Sequence, residues 1–321
     1  MSDATLVAEL EAVRSRAALF SIQDDVVEIR GRHAERFLHS MLSQDVKSMV
    51  PGAPGRYATF LTDTGKVVGV LLLLRLEERR FLAVMPAAAA TVAALQRFVL
   101  AQDVVFTTLA AQVLSVQGPA AADLVGGLDA PFAWLRTVVG AEVTAVEHGR
   151  CGERGVDLLV EGEVAPVLAA LRAAGVVEAG PAALDVARVE AGVPWLGREL
   201  TEDTIPLEAH LRHAISYKKG CYIGQETIAM TTYRGQPPRL LRGLRFSGGL
   251  PAPGLLTVDG RKAGTLTSAV ESPELGPIGL ALVKNKLAAP GTVVRVGERD
   301  AVVVELPFRW GTGLLPQPVD P

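Results

Sequence analysis

The segment most informative about the fold is Lys218-Lys219-Gly220-Cys221-Tyr222-Ile223-Gly224-Gln225-Glu226, which is followed by Arg234-Gly235. The two glycines that flank the cysteine let the backbone turn sharply and approach a ligand. Lys219 supplies positive charge, which favours the thiolate form of a neighbouring cysteine. These features make Cys221 a candidate reactive thiol. A lone cysteine can equally be a small buried hydrophobic residue, and the segment alone leaves both interpretations open.

The same part of the chain is strongly basic. Residues 218–245 contain six Lys and Arg residues and a single acid, Glu226, whereas the whole chain has a net charge of -3. Such a local excess of positive charge could dock a polyanion such as RNA. A solvated face that balances the acids just upstream is the alternative. The basic residues are Lys218, Lys219, Arg234, Arg239, Arg242 and Arg245.

Composition limits the class of protein. The chain has 321 residues, of which 49% are hydrophobic and 21% charged, as in globular proteins with two or three packed units. Its longest apolar runs are interrupted well before the roughly 20 residues that a bilayer needs. The first residues are acidic where a signal peptide would be basic. We therefore expect a cytoplasmic protein without a membrane span.

The metal-ligating residues are sparse. The chain has two cysteines, Cys151 and Cys221. They are too few to supply the four ligands of an iron–sulfur cluster, and too few for a disulfide scaffold. His210 and His213 have a spacing that suits metal ligands on a helix, but no third ligand accompanies them. We expect no resident metal, and any role in cluster chemistry must be exercised on another protein.

The sequence pattern divides the chain into two parts. Residues 1–235 alternate strand-like and helical segments without a strict βαβ period, which predicts an α+β body with antiparallel sheets made of two interleaved subdomains. Residues 240–321 form short apolar runs between Gly and Pro turns, which predicts a small β-barrel. The prolines of Gln236-Pro237-Pro238 mark the junction, because they disfavour helix and stiffen a linker.

Residues 219–226 match the K-G-C-Y-x-G-Q-E signature of the YgfZ proteins, a branch of the glycine cleavage T-protein superfamily. Arg188-Val189-Glu190-Ala191-Gly192-Val193-Pro194 is similar to the R-x-E-A-G-x-P segment of that superfamily. Gly152-Glu153-Arg154-Gly155 resembles its G-E-x-G turn. The resemblance implies a clover-leaf fold, in which two α+β subdomains enclose a folate pocket and a small β-barrel closes one side.

The resemblance also implies a set of site residues. Tetrahydrofolate is the expected cofactor, and the acid that binds its pterin ring corresponds to Asp157, which is shorter than the usual Glu. Cys221 is the expected working residue, with Lys219 beside it. Gly220, Gly224 and Arg234 are expected to shape the backbone of the site. The other cofactor-binding residues that the resemblance implies are Glu153, Arg188, Glu190, Tyr222, Gln225 and Glu226.

Two positions depart from the expected patterns. T-proteins resemble G-G-I-x-D-D-L in one hairpin and use an Asp there, whereas this chain has Gly65-Lys66-Val67-Val68-Gly69-Val70-Leu71. Loss of a positioned acid should cost roughly 10²–10⁴ in rate. The YgfZ pattern tends to have Arg or Lys four residues after the signature Glu, where this chain has Met230. Arg234 is a candidate to supply that basic contact instead.

These patterns favour one function and leave two alternatives open. The favoured hypothesis is a tetrahydrofolate-binding accessory factor that assembles or repairs iron–sulfur clusters in client enzymes, including enzymes that modify tRNA. Its partners would be iron–sulfur client or scaffold proteins. The first alternative is a tetrahydrofolate-dependent aminomethyltransferase or demethylase. The second is an RNA- or protein-binding module that docks through residues 218–245 and has a vestigial folate pocket.

Overall fold

The computed structural model describes residues 3–309 and residue 311. Short 3-10 helices lie at Ala122–Val125, Pro206–Ala209, Arg212–Ala214 and Asn285–Leu287. In the described residues the α-helices are α1 (Asp3–Ser15), α2 (Ala34–Met41), α3 (Ala88–Gln96), α4 (Ala165–Ala173), α5 (Pro181–Ala191) and α6 (Gln225–Tyr233). None of them is long and apolar enough to cross a membrane.

Two sheets form the body of the molecule. The strands of the body are β1 (Ala18–Ile22), β2 (Asp25–Arg30), β3 (Arg56–Leu61), β4 (Val67–Glu77), β5 (Arg80–Met85), β6 (Val105–Thr108), β7 (Gln112–Gln117), β8 (Trp134–Val139), β9 (Ala141–Glu147), β10 (Gly155–Val160) and β11 (Val177–Glu178). The five-stranded sheet has the order β3-β4-β5-β2-β6, and the six-stranded sheet has the order β11-β1-β7-β10-β9-β8. β1 and β2 are consecutive but belong to different sheets, so the chain crosses between the sheets at residues 23–24.

The C-terminal part is a closed barrel with the strand order β12-β15-β14-β13-β16-β17. Closure removes the exposed sheet edges that would otherwise pair with other chains. Its strands are β12 (Arg239–Phe246), β13 (Gly254–Val258), β14 (Arg261–Ser272), β15 (Gly276–Lys284), β16 (Val293–Val296) and β17 (Arg299–Val304). The predicted α+β architecture, with two sheet subdomains and a small β-barrel, is confirmed.

An apolar cluster holds the two body sheets together. Val26, Leu72 and Val84 of the five-stranded sheet pack in one buried cluster with Val113 and Leu159 of the six-stranded sheet. Removing such side chains from water is the main favourable term in packing two sheets. The predicted hairpin is formed by β3 and β4, and it contributes one wall of this joint.

A buried ion pair joins the body to the barrel. The Arg188 guanidinium on α5 is fully buried and donates to Glu199 at 2.9 Å and to the Ser268 hydroxyl of β14 at 2.7 Å. The Glu199 carboxylate also accepts from Ser268 at 2.6 Å and from the backbone N–H of Trp195 at 3.0 Å. Both members of the pair belong to the body and both bond the Ser268 hydroxyl of the barrel, so separating the barrel would leave this buried pair without one of its hydrogen-bond partners.

Candidate functional site

Asp157 lies in the middle of the body. It is on β10 between β7 and β9, where Ser115 and Val146 are its neighbours in register. Its side chain has no exposed surface. A carboxylate in such a position must be neutralised by other protein groups, because burial of an unpaired charge is prohibitive.

Arg150 and His148 neutralise it. The Arg150 guanidinium contacts both Asp157 oxygens, the shorter distance being 2.7 Å from Nη2, and Nδ1 of His148 lies 2.8 Å from Oδ2. Burial alone would raise the pKa of Asp157, but the charges of Arg150 and His148 outweigh it and hold the pKa below its usual value. Arg150 also contacts Asp24, at 2.9 Å, in the crossing between the two sheets.

Four rings surround this ion pair. The Tyr57 ring centroid lies 5.7 Å from that of His213, 5.9 Å from that of His148 and 6.2 Å from that of Phe132. Tyr57 and His213 are stacked, with 29° between their planes. Burial, with a smaller contribution from His148, lowers the pKa of His213 to about 4, so its ring is neutral at pH 7. We call Tyr57, Phe132, His148, Arg150, Asp157 and His213 the central cluster.

The central cluster has the chemistry of a cradle for a flat heterocycle. Aromatic rings from both halves of the body offer stacking faces, and Arg150 offers planar N–H donors. The side chains of Arg150 and His148 keep 12% and 14% exposure, whereas Asp157 has none. Arg150 and His148 are therefore the members of this ion pair that solvent can reach, and Asp157 holds them in place.

The ammonium group of the signature lysine, Lys219, binds backbone carbonyl groups. Lys219 Nζ donates to the carbonyl oxygens of His39, Leu42 at 2.6 Å and Gln44 at 2.9 Å, at the C-terminal end of α2. Helix C-termini carry unpaired carbonyls and a partial negative charge, which a lysine stabilises. Since an ammonium has three N–H donors, all of them are committed here and none donates to Cys221. Burial lowers the pKa of Lys219 to about 8.

A second contact locks the signature loop onto the β3–β4 hairpin. Gly224 has φ +81°, and a Cβ built on it would lie 2.5 Å from the carbonyl oxygen of Thr62 and 2.9 Å from Cα of Gly65. No side chain fits between these backbones, which explains the glycine. A Cβ added at Gly220, by contrast, would meet open space. The loop is thus fixed at Lys219 and Gly224, on either side of the cysteine.

The remaining predicted residues of the signature lie around this loop. The Tyr222 ring stacks over the Lys219 ammonium at 4.9 Å, and the Gln225 side chain accepts from the Tyr222 backbone N–H at 3.3 Å. Glu226 is exposed in the first turn of α6, and Arg234 is exposed just beyond its end. None of these contacts reaches the central cluster, and each supports the shape of the signature loop.

The two thiols differ in environment. Cys221 is exposed, whereas Cys151 is 3% exposed and packs in the cluster beneath α1 and α5. Burial raises the pKa of Cys151 to about 12. A buried neutral thiol is chemically inert compared with an exposed one.

Three residues that were predicted to bind folate make contacts that hold the fold together. Arg188 belongs to the body–barrel joint. Glu190 accepts from Arg14 at 2.6 Å and from the Ser272 hydroxyl at 2.7 Å, which ties α1 and the barrel to α5. Glu153 is buried in the turn before β10, next to Cys151. The structure brings Asp157 together with Arg150 and His148 and leaves these three with other partners.

The basic residues of 218–245 do not share one free face. Lys219 binds carbonyls, Arg239 pairs with Glu208 at 2.8 Å, and Arg242 donates to the Ala288 carbonyl at 2.9 Å. Arg245 lies 5.5 Å from the centroid of the Phe308 ring. Four of the six cations therefore make contacts within the fold.

The two histidines considered as metal ligands contact different parts of the protein. His213 stacks on Tyr57, whereas Nε2–H of His210 donates to the carbonyl oxygen of Leu241 at 3.0 Å. No group of three or more potential metal ligands occurs among residues 3–309 and 311.

Positions 69 and 70 of the β3–β4 hairpin are where T-proteins have the acids that this chain lacks. In the β3–β4 register Tyr57 pairs with Leu72 and Thr59 with Val70, so Val70 shares a face with Tyr57. Gly69 lies on the opposite face, where an added Cβ would be 2.6 Å from Cγ2 of Thr91 on α3. Position 70 thus faces the Tyr57 side, and position 69 is closed by helix α3.

Sequence reasoning missed most of the central cluster. No motif marks three of its members, Tyr57, Phe132 and His148, or Asp24, which contacts Arg150. These residues come from separate segments that only the packing of the two sheets brings together. Arg150 precedes the Gly152–Gly155 turn by two residues, and this nearness was the one available signal. His213 was considered only as a metal ligand.

Comparisons with known proteins agree with this architecture. The GCVT N-terminal domain family matches residues 2–219, and the glycine cleavage T-protein C-terminal barrel domain family matches residues 239–309. The chain belongs to the glycine cleavage T-protein family. This confirms the superfamily that the sequence resemblance indicated.

This T-protein family member is similar to its relatives over most of their length. An aminomethyltransferase of Halalkalibacterium halodurans is 31% identical, with 94% of this chain and 88% of that protein covered. An aminomethyltransferase of Geobacillus kaustophilus is 35% identical, with 94% and 89% covered. The crystal structure of glycine cleavage system aminomethyltransferase T from Bartonella henselae superimposes with a TM-score of 0.83 at 26% identity, with 95% and 90% covered.

The environments of the two thiols generate a direct prediction. We expect iodoacetamide to alkylate Cys221 of the native protein well before Cys151, because Cys221 is exposed and Cys151 is buried with a raised pKa. Peptide mapping by mass spectrometry would measure both sites. In denaturant the two rates should converge, and faster labelling of Cys151 in the native protein would contradict the assignment.

Proposed function

We propose that this protein is a tetrahydrofolate-binding accessory factor for the assembly or repair of iron–sulfur clusters in client enzymes, including enzymes that modify tRNA. The observation that carries the proposal is the position of Cys221, exposed on a loop that Lys219 and Gly224 lock to the body. A thiol held in this way can be presented to a partner protein. The K-G-C-Y-x-G-Q-E signature at 219–226 supports placement in the YgfZ branch of the family.

We propose the central cluster as the binding site for the flat ring of tetrahydrofolate. Tyr57, His148, Phe132 and His213 already stack on one another, so the ring would pack against the outside of this aromatic group. Arg150 would donate hydrogen bonds to its acceptor edge. Asp157 would keep Arg150 and His148 oriented and neutralise the guanidinium. Tetrahydrofolate, when bound, would supply a carrier for one-carbon units.

Aminomethyl transfer is the second candidate function, because relatives over the full chain are named aminomethyltransferases. The hairpin weighs against it. Positions 69 and 70 are Gly and Val, and the Val70 side chain is 3% exposed within an apolar cluster. The hairpin therefore offers no carboxylate at positions 69 and 70 to move a proton during transfer.

Binding of tetrahydrofolate tests the pocket. We expect the wild-type protein to bind it in a calorimetric titration, and Asp157→Ala to weaken binding by more than about 1.5 kcal/mol because Arg150 loses its main anchor. Asp129→Ala, which removes an exposed acid from the same half of the body, is the matched control. Thermal unfolding of each variant separates lost affinity from lost folding. Unchanged affinity in a folded Asp157→Ala protein would place the folate elsewhere.

Turnover separates the two candidate functions. We expect the wild-type protein to transfer an aminomethyl group to tetrahydrofolate at a rate roughly 10²–10⁴ below that of a T-protein with the hairpin acid. Gly69→Asp should not raise this rate, since the added side chain collides with Thr91. A T-protein assayed in parallel is the positive control. Turnover comparable with that control would establish the aminomethyltransferase function instead.

Support of client enzymes tests the role of Cys221. In cells that lack the native protein, we expect wild type and Cys151→Ser to restore the activity of an iron–sulfur tRNA-modifying enzyme, and Cys221→Ser to fail. Purified Cys221→Ser should retain tetrahydrofolate affinity, because the thiol lies outside the central cluster. Full restoration by Cys221→Ser would show that the thiol is dispensable and that the loop only shapes the fold.

A further inference from the structure

A second cavity lies between the body and the barrel, away from the central cluster. Its volume is about 440 Å³, within the range of small-molecule sites. It is bounded by the linker at Gly235–Pro237, by residues after the 3-10 helix Pro206–Ala209, and by the barrel. We call it the hinge cavity. Its lining residues are Leu207, His210, Arg212, Gly235, Gln236, Pro237, Leu240, Arg242, Asn285, Ala288 and Ala289.

Two guanidinium groups and an imidazole converge on the hinge cavity. Arg242 is oriented by its Nε–H, which donates to the Ala288 carbonyl oxygen. Burial lowers the pKa of His210, and the positive charges of Arg242 and Arg212 lower it further, so both guanidinium groups act at His210. His210 itself has φ +61°, a conformation that costs energy in a non-glycine residue and often accompanies function.

The cavity lacks compensating acids. No Asp or Glu lines it in the described part of the chain, and neither Arg212 nor Arg242 pairs with a carboxylate there. Glu208, which is next to the lining residue Leu207, is already matched by Arg239 at 2.8 Å. Two half-buried guanidinium groups that share a cavity repel each other, and an oxyanion is the ligand that relieves this repulsion.

We propose that the hinge cavity binds a small organic anion that carries a phosphate or two carboxylates. Arg212 and Arg242 bind its oxygens, and the apolar floor of Leu207, Leu240 and Ala288 covers its carbon framework. Because the walls belong to the body, the linker and the barrel together, such a ligand bridges both parts of the molecule. This site is independent of the proposed folate pocket.

Calorimetric titrations of the full chain with pyrophosphate, adenosine monophosphate and glutarate test the site and distinguish phosphate from carboxylate ligands. We expect at least one probe to bind, and Arg212→Gln and Arg242→Gln each to weaken it about tenfold to a hundredfold, the scale of a charge-assisted contact. Lys286→Gln, which removes an exposed charge beside Asn285 but outside the lining, should change affinity less than about twofold. Asp157→Ala should leave this binding intact even if folate binding is lost.

A steric variant keeps the test valid if a charge variant folds poorly. Ala289 is exposed at the cavity wall, so Ala289→Trp should fold normally and fill the cavity without changing the charge. We expect it to abolish binding of the anionic probe. The proposal is overturned if no probe binds at concentrations up to about 10 mM, which would mean a binding free energy weaker than roughly 2.7 kcal/mol. It is also overturned if Lys286→Gln weakens binding as much as Arg212→Gln, or if single-stranded RNA binds and the small anions do not.

Discussion

The Arg150 guanidinium, shared between Asp24 and Asp157, is the interaction on which the centre of the molecule depends. Asp157 comes from the middle of one sheet and Asp24 from the crossing into the other, so one side chain ties both halves at their meeting point. Each of the two carboxylates has the guanidinium as an opposite charge, which makes their burial tolerable. The rings of Tyr57, Phe132 and His213 then pack around a fixed polar floor.

This arrangement changes the role of the acid that the family resemblance places on the pterin ring. A carboxylate with no exposed surface cannot be the first group that a ligand meets, and Asp157 is covered by Arg150 and His148. The shorter side chain of Asp, compared with Glu, is consistent with a recessed position. In the proposed folate pocket the acid would orient Arg150 and His148 and leave direct contact with the ligand to them.

The signature loop illustrates how a conspicuous motif can be divided between structure and chemistry. Its lysine closes the C-terminal end of α2, and its second glycine allows backbone contact with the β3–β4 hairpin. Both contacts concern the part of the body that holds the altered hairpin. Cys221 is left exposed between these two fixed points.

The α+β body, the C-terminal barrel and the family could be predicted from the sequence, because hydrophobic periodicity, turn residues and short motifs are local properties of the chain. The sequence also singled out Cys221 and Asp157. The structure was needed to show that Lys219 binds a helix terminus and that Arg188 and Glu190 join the body to the barrel. It was also needed to show that the rings of Tyr57, Phe132, His148 and His213 lie together. These assignments depend on contacts between residues far apart in the chain, whose partners are fixed by the packing of two sheets and a barrel and leave no local pattern in the sequence.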